Sequence, residues 1–213
     1  MGMKKCSVMF LVSMGILLCA VKPAAADVSN VAAGKKVTLS GTFFTNGWAG
    51  ASVPADEQER ANTLVDGAFL PRSSEWDGYT VWWGAHPENY ITIDLGGQFN
   101  IESFAVQADD NDAYMLDYWN GDNWARAWDI NVAGGWGMQT RPNPANDAER
   151  YTLTETINTN ALKLYWNPAA GDGLCSISEI QAYGLVAPEP MSATLIVLGS
   201  AVLGLSRFRR KTA

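Results

Sequence analysis

Between Asp27 and Ala187 almost nothing repeats apolar residues at helical spacing, and that absence constrains the fold more than any other feature. Short runs rich in β-branched and aromatic residues recur instead, separated by clusters of Gly, Asn, Asp and Pro. Such spacing describes a β-sandwich or barrel. Val37–Ser40 reads as a first strand. Tyr90-Ile91-Thr92-Ile93-Asp94-Leu95 alternates in and out, and Gly96-Gly97 is expected to end it. Ile101–Ala108, Tyr114–Trp119, Trp124–Ile130, Arg150–Leu153, Ala161–Trp166 and Ile177–Tyr183 complete the set, with Asn120-Gly121-Asp122-Asn123 as a turn. Glu57–Leu64 has room for one or two helical turns. Gly134–Ala148 reads as a long polar loop carrying Trp136.

The two ends differ from this middle. Lys4 and Lys5 precede an apolar stretch from Val8 to Ala20, and Ala24-Ala25-Ala26 satisfies the small-residue rule for a secretory cleavage site, here expected after Ala26. Cys19 follows Leu18 where a lipoprotein site requires a small residue, so lipidation is the weaker reading. At the other end, Pro188-Glu189-Pro190 is followed by Met191–Ser206, without an ionisable residue, and then by Arg207, Arg209, Arg210 and Lys211. Basic residues after an apolar run orient it with that end in the cytoplasm. The 16-residue run is shorter than the roughly 20 residues of a comfortable span.

In that order, the triplet, the apolar helix with Gly199 and Gly204, and the Arg cluster resemble the PEP-CTERM sorting signal of Gram-negative, exopolysaccharide-producing bacteria. The resemblance implies an exosortase-type membrane protease as a partner and only transient membrane residence of the transmembrane helix. It also implies delivery to the cell envelope, outer surface or extracellular matrix. An ordinary tail anchor is the alternative. The expected organisation is a signal peptide over 1–26, one domain over 27–187 and a sorting segment over 188–213.

Charge sharpens once the ends are set apart. The whole chain carries −7, but seven of its fifteen basic residues and only one of its twenty-two acids lie in the terminal segments. Eight basic against twenty-one acidic residues leave the middle near −13. A surface of that sign argues against nucleic acid and anionic lipid as partners. Cys6 and Cys19 fall in the leader, so Cys175 has no partner for an intramolecular disulfide and is expected to be a buried, inert thiol.

The order of motifs along the middle resembles a discoidin, or coagulation-factor type C, domain with the galactose-binding-like fold. The residues carrying the resemblance are Leu64-Val65-Asp66-Gly67, a Trp-rich segment, Ile91-Thr92-Ile93-Asp94-Leu95-Gly96, Tyr114–Gly121 with Trp124, Leu162-Lys163-Leu164 and Ser178-Glu179-Ile180-Gln181-Ala182-Tyr183-Gly184. The segment Pro71–Trp83 is longer and more aromatic than the family pattern. The fold implied is a jelly-roll β-sandwich. The resemblance also implies a structural Ca²⁺ held by Asp66 and Glu179, with the carbonyls of Thr63, Ala68 and Ser178. The family's Thr ligand after Asp-Gly has no clear match. Without a metal, Asp66 would be a turn residue and Glu179 an acceptor for a strand-end amide.

Catalysis has thin support. His86 is the single histidine, set in a Gly-Ala-His-Pro loop, and no phosphate loop, HExxH or Cys/His cluster occurs. Paired acids able to hydrolyse glycosides are the remaining enzymatic option; no catalytic residue is assigned. The aromatics are more informative. All nine Trp lie in the middle segment, and Trp76, Trp82, Trp83 and Trp136 fall in stretches read as loops rich in Gly, Asp and Asn. Loop-borne rings stack on pyranose faces while carboxylates, amides and Arg bind hydroxyls. Trp76, Trp82, Trp83, His86, Asp109, Asp110 and Trp136 are therefore the candidate sugar contacts, two of the four Trp being expected to touch ligand. Trp82-Trp83 could instead start a strand with one ring in the core. Asp109-Asp110-Asn111-Asp112 could hold a cation, bind sugar hydroxyls or form a solvated loop. The expected function is non-catalytic binding of a polysaccharide or other glycan by a secreted protein. A structural or adhesive matrix role is the alternative.

Overall fold

One strand, β4 (Tyr90–Asp109), runs through the whole domain, pairing directly with β2, β7, β8 and β9. The computed structural model describes residues 27–47, 54, 56–168 and 171–187. The signal peptide with Ala26, Trp48, the Pro188-Glu189-Pro190 triplet and the sorting segment lie outside the described residues.

Nine strands and one helix are described: β1 (Ser29–Asn30), β2 (Lys36–Ser40), α1 (Glu57–Thr63), β3 (Val81–Gly84), β4, β5 (Tyr114–Trp119), β6 (Trp124–Ile130), β7 (Met138–Arg141), β8 (Tyr151–Trp166) and β9 (Leu174–Val186). Every strand pairing is antiparallel. The first half of β4, Tyr90–Asp94, lies between β2 and β8. From Phe99 onward it lies between β8 and β9, and Val106–Asp109 pairs with β7. Each long strand thereby serves two layers of a β-sandwich.

Gly96-Gly97 was expected to terminate a strand and does not. The ladder to β8 shifts register between Asp94 and Phe99, and Gly96 sits at φ +73°, where a side chain would be strained. The glycines absorb a bulge and the strand continues. Likewise Arg150–Leu153 and Ala161–Trp166 are two ends of the single strand β8. Met138–Arg141, expected within a loop, is the fully buried strand β7. β2, β5, β6 and β9 fall where the alternation places them, whereas β1 and β3 were not among the expected strands.

The core follows period two. Ile91, Ile93 and Leu95 are buried while Thr92 and Asp94 face outward, and Leu116, Ile130, Leu162, Leu164, Ile177 and Ile180 meet them. Helix α1 is capped by Asp56, whose Oδ1 accepts from Glu59 N at 2.9 Å, and its C-terminal end is tied to β9 by Ile180 N donating to Leu64 O at 2.7 Å. Trp119 and Trp124 face each other across the β5–β6 turn, ring centroids 5.5 Å apart. Cys175 is buried and unbridged, its thiol pushed up by burial.

Candidate functional site

Arg141, at the end of β7, organises one end of the sandwich. It is 3% exposed and donates to five backbone carbonyls: Ala108 (2.6 Å), Gln139 (2.6 Å), Asn131 (3.3 Å), Asp112 (3.4 Å) and Asp109. Five guanidinium donors in a rigid fork suit this task, and a lysine would not. The bonds join the end of β4, the Asp109–Asp112 turn and the 131–137 segment into one body. Ala133 N and Gly134 N donate to Asp110 O, adding a second tie.

This framework borders a cleft of about 420 Å³ lined by Trp128, Asp129, Asn131, Val132, Arg141 and Tyr151, with Ala133 and Pro142. Its size suits a small ligand or a sugar or two. Trp128, 6% exposed, is covered by Tyr151, the rings stacked with centroids 4.6 Å apart and planes 6° apart, so the half-buried Tyr151 presents the accessible ring of this apolar wall. Asp129 is ion-paired with Arg126, which also holds Asp117 at 2.6 Å. The same 131–137 segment then carries Trp136, 56% exposed. A ring that exposed, three residues after Ala133 of the cleft wall, can stack on a flat apolar face. Sequence reasoning missed Trp128, Asn131, Arg141 and Tyr151, because β6 with the residue after it, β7 and β8 contribute them from distant positions.

Trp76 lies in the 71–80 stretch, which meets β7 at Met138. Ser73 N donates to Met138 O and Met138 N to Ser74 O, both at 2.9 Å, so the 71–80 stretch is zipped onto β7. Gly137 makes this possible: a Cβ there would fall 2.2 Å from Ser74 O. Trp76 is half-buried, its edge against Trp82 at 5.1 Å. Trp82 and Trp83 are not in a loop. They occupy β3, where successive side chains point to opposite faces. Trp83 is fully buried against Phe43 and Tyr114, and Trp82 is 4% exposed, covered by Phe44 at 4.0 Å. Neither offers a free ring face, which removes both from the candidate contacts. His86 is exposed in the β3–β4 turn, its Nδ1 accepting from Glu88 N at 3.4 Å.

The expected sugar-binding acids are differently placed. Asp110 is partly exposed, whereas Asp109 is 8% and Asp112 1% exposed. Burial, reinforced by neighbouring acids, raises Asp109 to about 6 and Asp112 to about 7.

The residues proposed for a metal lie together in part. Glu179 is fully buried on β9; its Oε1 accepts from Gly67 N and Gln181 Nε2, each at 3.1 Å, while Oε2 has no hydrogen-bond partner among the described residues. Burial, with the nearby Asp66 charge, raises it to about 8. Asp66 Oδ1 accepts from Ala68 N at 2.8 Å, as a turn residue does. Thr63 closes the last turn of α1 by donating to Arg60 O, and Ser178 Oγ donates to Gln107 Oε1 at 2.6 Å. Two carboxylates, one of them with an orphaned buried oxygen, are oxygen donors of the kind a hard cation takes. Among the described residues no three His, Cys, Asp or Glu side chains group closely enough to hold a metal alone.

No family model matches the chain, and no curated protein sequence does. Among solved structures, the chain is similar to an f-lectin (fucolectin) from striped bass (Morone saxatilis) serum, with 15% identity and a TM-score of 0.51 over 76% of this chain and 51% of that one. It also aligns with the family 32 CBM from C. perfringens NanJ, solved in complex with galactose, at 13% identity and TM-score 0.47 over 74% and 99%. A chitosan-binding module from a chitosanase/glucanase of Paenibacillus sp. IK-5 aligns at 18% and 0.45 over 73% and 99%. The fold is a discoidin-like β-sandwich.

Proposed function

We infer that this discoidin-like sandwich binds carbohydrate without transforming it. The observation carrying the reading is the cleft beside the 131–137 segment: a two-ring wall of Trp128 and Tyr151, a polar rim of Asp129 and Asn131, and the exposed Trp136 close by in sequence. A pyranose would lay its apolar face on the Tyr151 or Trp136 ring and its hydroxyls on the rim. Trp136 remains the strongest sequence-expected contact; Trp76, His86 and Asp110 could touch a longer glycan. Asp129 is the one carboxylate in the cleft wall and is already ion-paired, whereas glycoside hydrolysis needs two. Neighbours that bind galactose or chitosan are consistent with the reading. The leader and tail motifs support export and exosortase-dependent sorting to the envelope or matrix, where polysaccharide is the abundant ligand.

Calcium belongs to the same proposal. Asp66 and Glu179, with the carbonyls of Thr63, Ala68 and Ser178, would hold it, and the supporting observation is the unpartnered Glu179 Oε2. Bound there, the ion would fasten the Asp66–Gly67 loop to β9.

Glycan-array binding by the purified protein, followed by affinity electrophoresis in the best ligand, tests the sugar reading. Trp136→Ala and Tyr151→Ala should each weaken binding by about tenfold, the effect of losing roughly 1–1.5 kcal/mol of ring contact. Retention unchanged in both variants would place the site elsewhere. Failure to bind any polysaccharide would favour the matrix-adhesion role.

A further inference from the structure

The Asp109–Asp112 turn contains a charge problem that the glycan cleft does not use. Asp112 is 1% exposed, and both Tyr114 OH (2.7 Å) and Ser176 N (3.1 Å) donate to its Oδ2. Two donors on one oxygen favour the ionised carboxylate. Its other oxygen, Oδ1, has no partner among the described residues, nor does Asp109 Oδ1, on a side chain 8% exposed. Oδ1 of Asp112 faces the 171–173 turn: a Cβ on Gly171 would stand 3.3 Å from it. That turn carries Asp172, whose charge acts on both Asp109 and Asp112. Two buried carboxylates, Asp109 and Asp112, thus each carry an oxygen without a partner, with the exposed Asp172 adding negative charge from the turn beside them. The adjacent cation, Arg141, spends its N–H groups on backbone carbonyls rather than on these carboxylates. Arg141 supplies charge at a distance, but burying two carboxylate oxygens without donors is still costly, and a bound cation removes that cost.

We propose that Asp109 and Asp112, with the 171–173 turn closing over them, form a second divalent-cation site, separate from Asp66 and Glu179, that takes Ca²⁺. The donors are oxygens, which selects a hard ion. The irregular turn geometry suits the variable coordination of Ca²⁺ better than the strict octahedron of Mg²⁺. Two side chains supply part of the shell; backbone carbonyls and water fill the rest, as is ordinary for this ion. The site would lock the β8–β9 turn to the end of β4. Through Ser176, whose Oγ donates to Trp76 O, it would also steady the Trp76 loop.

Equilibrium dialysis with radiolabelled Ca²⁺ on the purified protein separates the two sites. Glu179→Gln should remove one bound ion and leave the other. Adding Asp112→Asn or Asp109→Asn should remove the remainder. Asp112→Asn keeps the acceptor for Tyr114 and Ser176 and eliminates the unpaired charge. In EDTA its melting temperature should therefore equal or exceed that of the unsubstituted protein, while the rise on adding Ca²⁺ shrinks. Undiminished Ca²⁺ binding in both Asp112→Asn and Asp109→Asn overturns the proposal. So does complete loss in Glu179→Gln alone, or no binding by the unsubstituted protein.

Discussion

At the scale of single residues, the buried acids set the pH behaviour. Glu179, Asp112 and Asp109 are raised to about 8, 7 and 6, in each case chiefly by burial. Beside burial, Gln181 and Asp66 act on Glu179; Tyr114, Asp109, Ser176 and Asp172 on Asp112; and Asp110, Asp172 and Arg141 on Asp109. A carboxyl with a raised native value keeps its proton after the unfolded chain has lost its own. Its contribution is full below the unfolded value and disappears as pH climbs through the native one. In EDTA the melting temperature should accordingly fall between pH 5 and pH 8, by about 2–4 °C for each kcal/mol lost. Calorimetry at both pH values decides it: a rise would contradict the burial of these groups as unpaired carboxyls. The same residues show the reach of sequence reading. Asp109–Asp112 stands out as an acid run, but which members are exposed depends on Arg141 and on a turn some sixty residues away.

At the scale of elements, β7 and its preceding segment do the positioning. Nothing in Met138-Gln139-Thr140-Arg141 announces a strand, since no two apolar residues alternate there. It becomes one because β4 offers a free edge at Val106–Asp109 and because Gln139 and Arg141 satisfy neighbouring polar groups. Gly137 is the tight point, at φ +62° with Ser74 O where a Cβ would go. Gly137→Ala should cost about 1–3 kcal/mol from backbone strain alone, more with the clash, and should weaken glycan binding by displacing Trp136. Gly134→Ala is the control, at φ +69° but with nothing within 4 Å of the added carbon, and should cost about 1–2 kcal/mol. Equal losses in urea melts of the two variants would show that packing on Ser74 is unimportant. Strand continuity hid from the sequence for a related reason. Gly-Gly after Tyr90–Leu95 is a stop signal locally, yet a sandwich whose strands serve both layers needs a bulge there.

For the whole molecule, charge dominates. A segment near −13 repels itself at low ionic strength. Raising salt from about 0.01 M to about 0.15 M shortens the screening length from about 30 Å to about 8 Å. Thermal unfolding in a Ca²⁺-free buffer should shift upward by a few degrees, about 1–2 kcal/mol at about 2–4 °C each. A downward shift would mean that net attraction, as at Arg126 with Asp117 and Asp129, outweighs repulsion.

The sequence by itself determined the β-class of the domain, most strand positions and the identity of the core faces. Each of these follows from period-two alternation and turn chemistry, which act between neighbours in the chain. The tertiary structure decided which aromatics are available. Trp82 and Trp83 looked like loop contacts and became core, because one strand presents adjacent rings to opposite faces and both faces happen to be covered. Trp136 stays outside because Gly137 and Arg141 hold its segment at the surface. The cleft was illegible beforehand, since Trp128, Arg141 and Tyr151 meet only through long-range pairing. Exposure is a property of what packs against a residue, and that partner is seldom close in sequence.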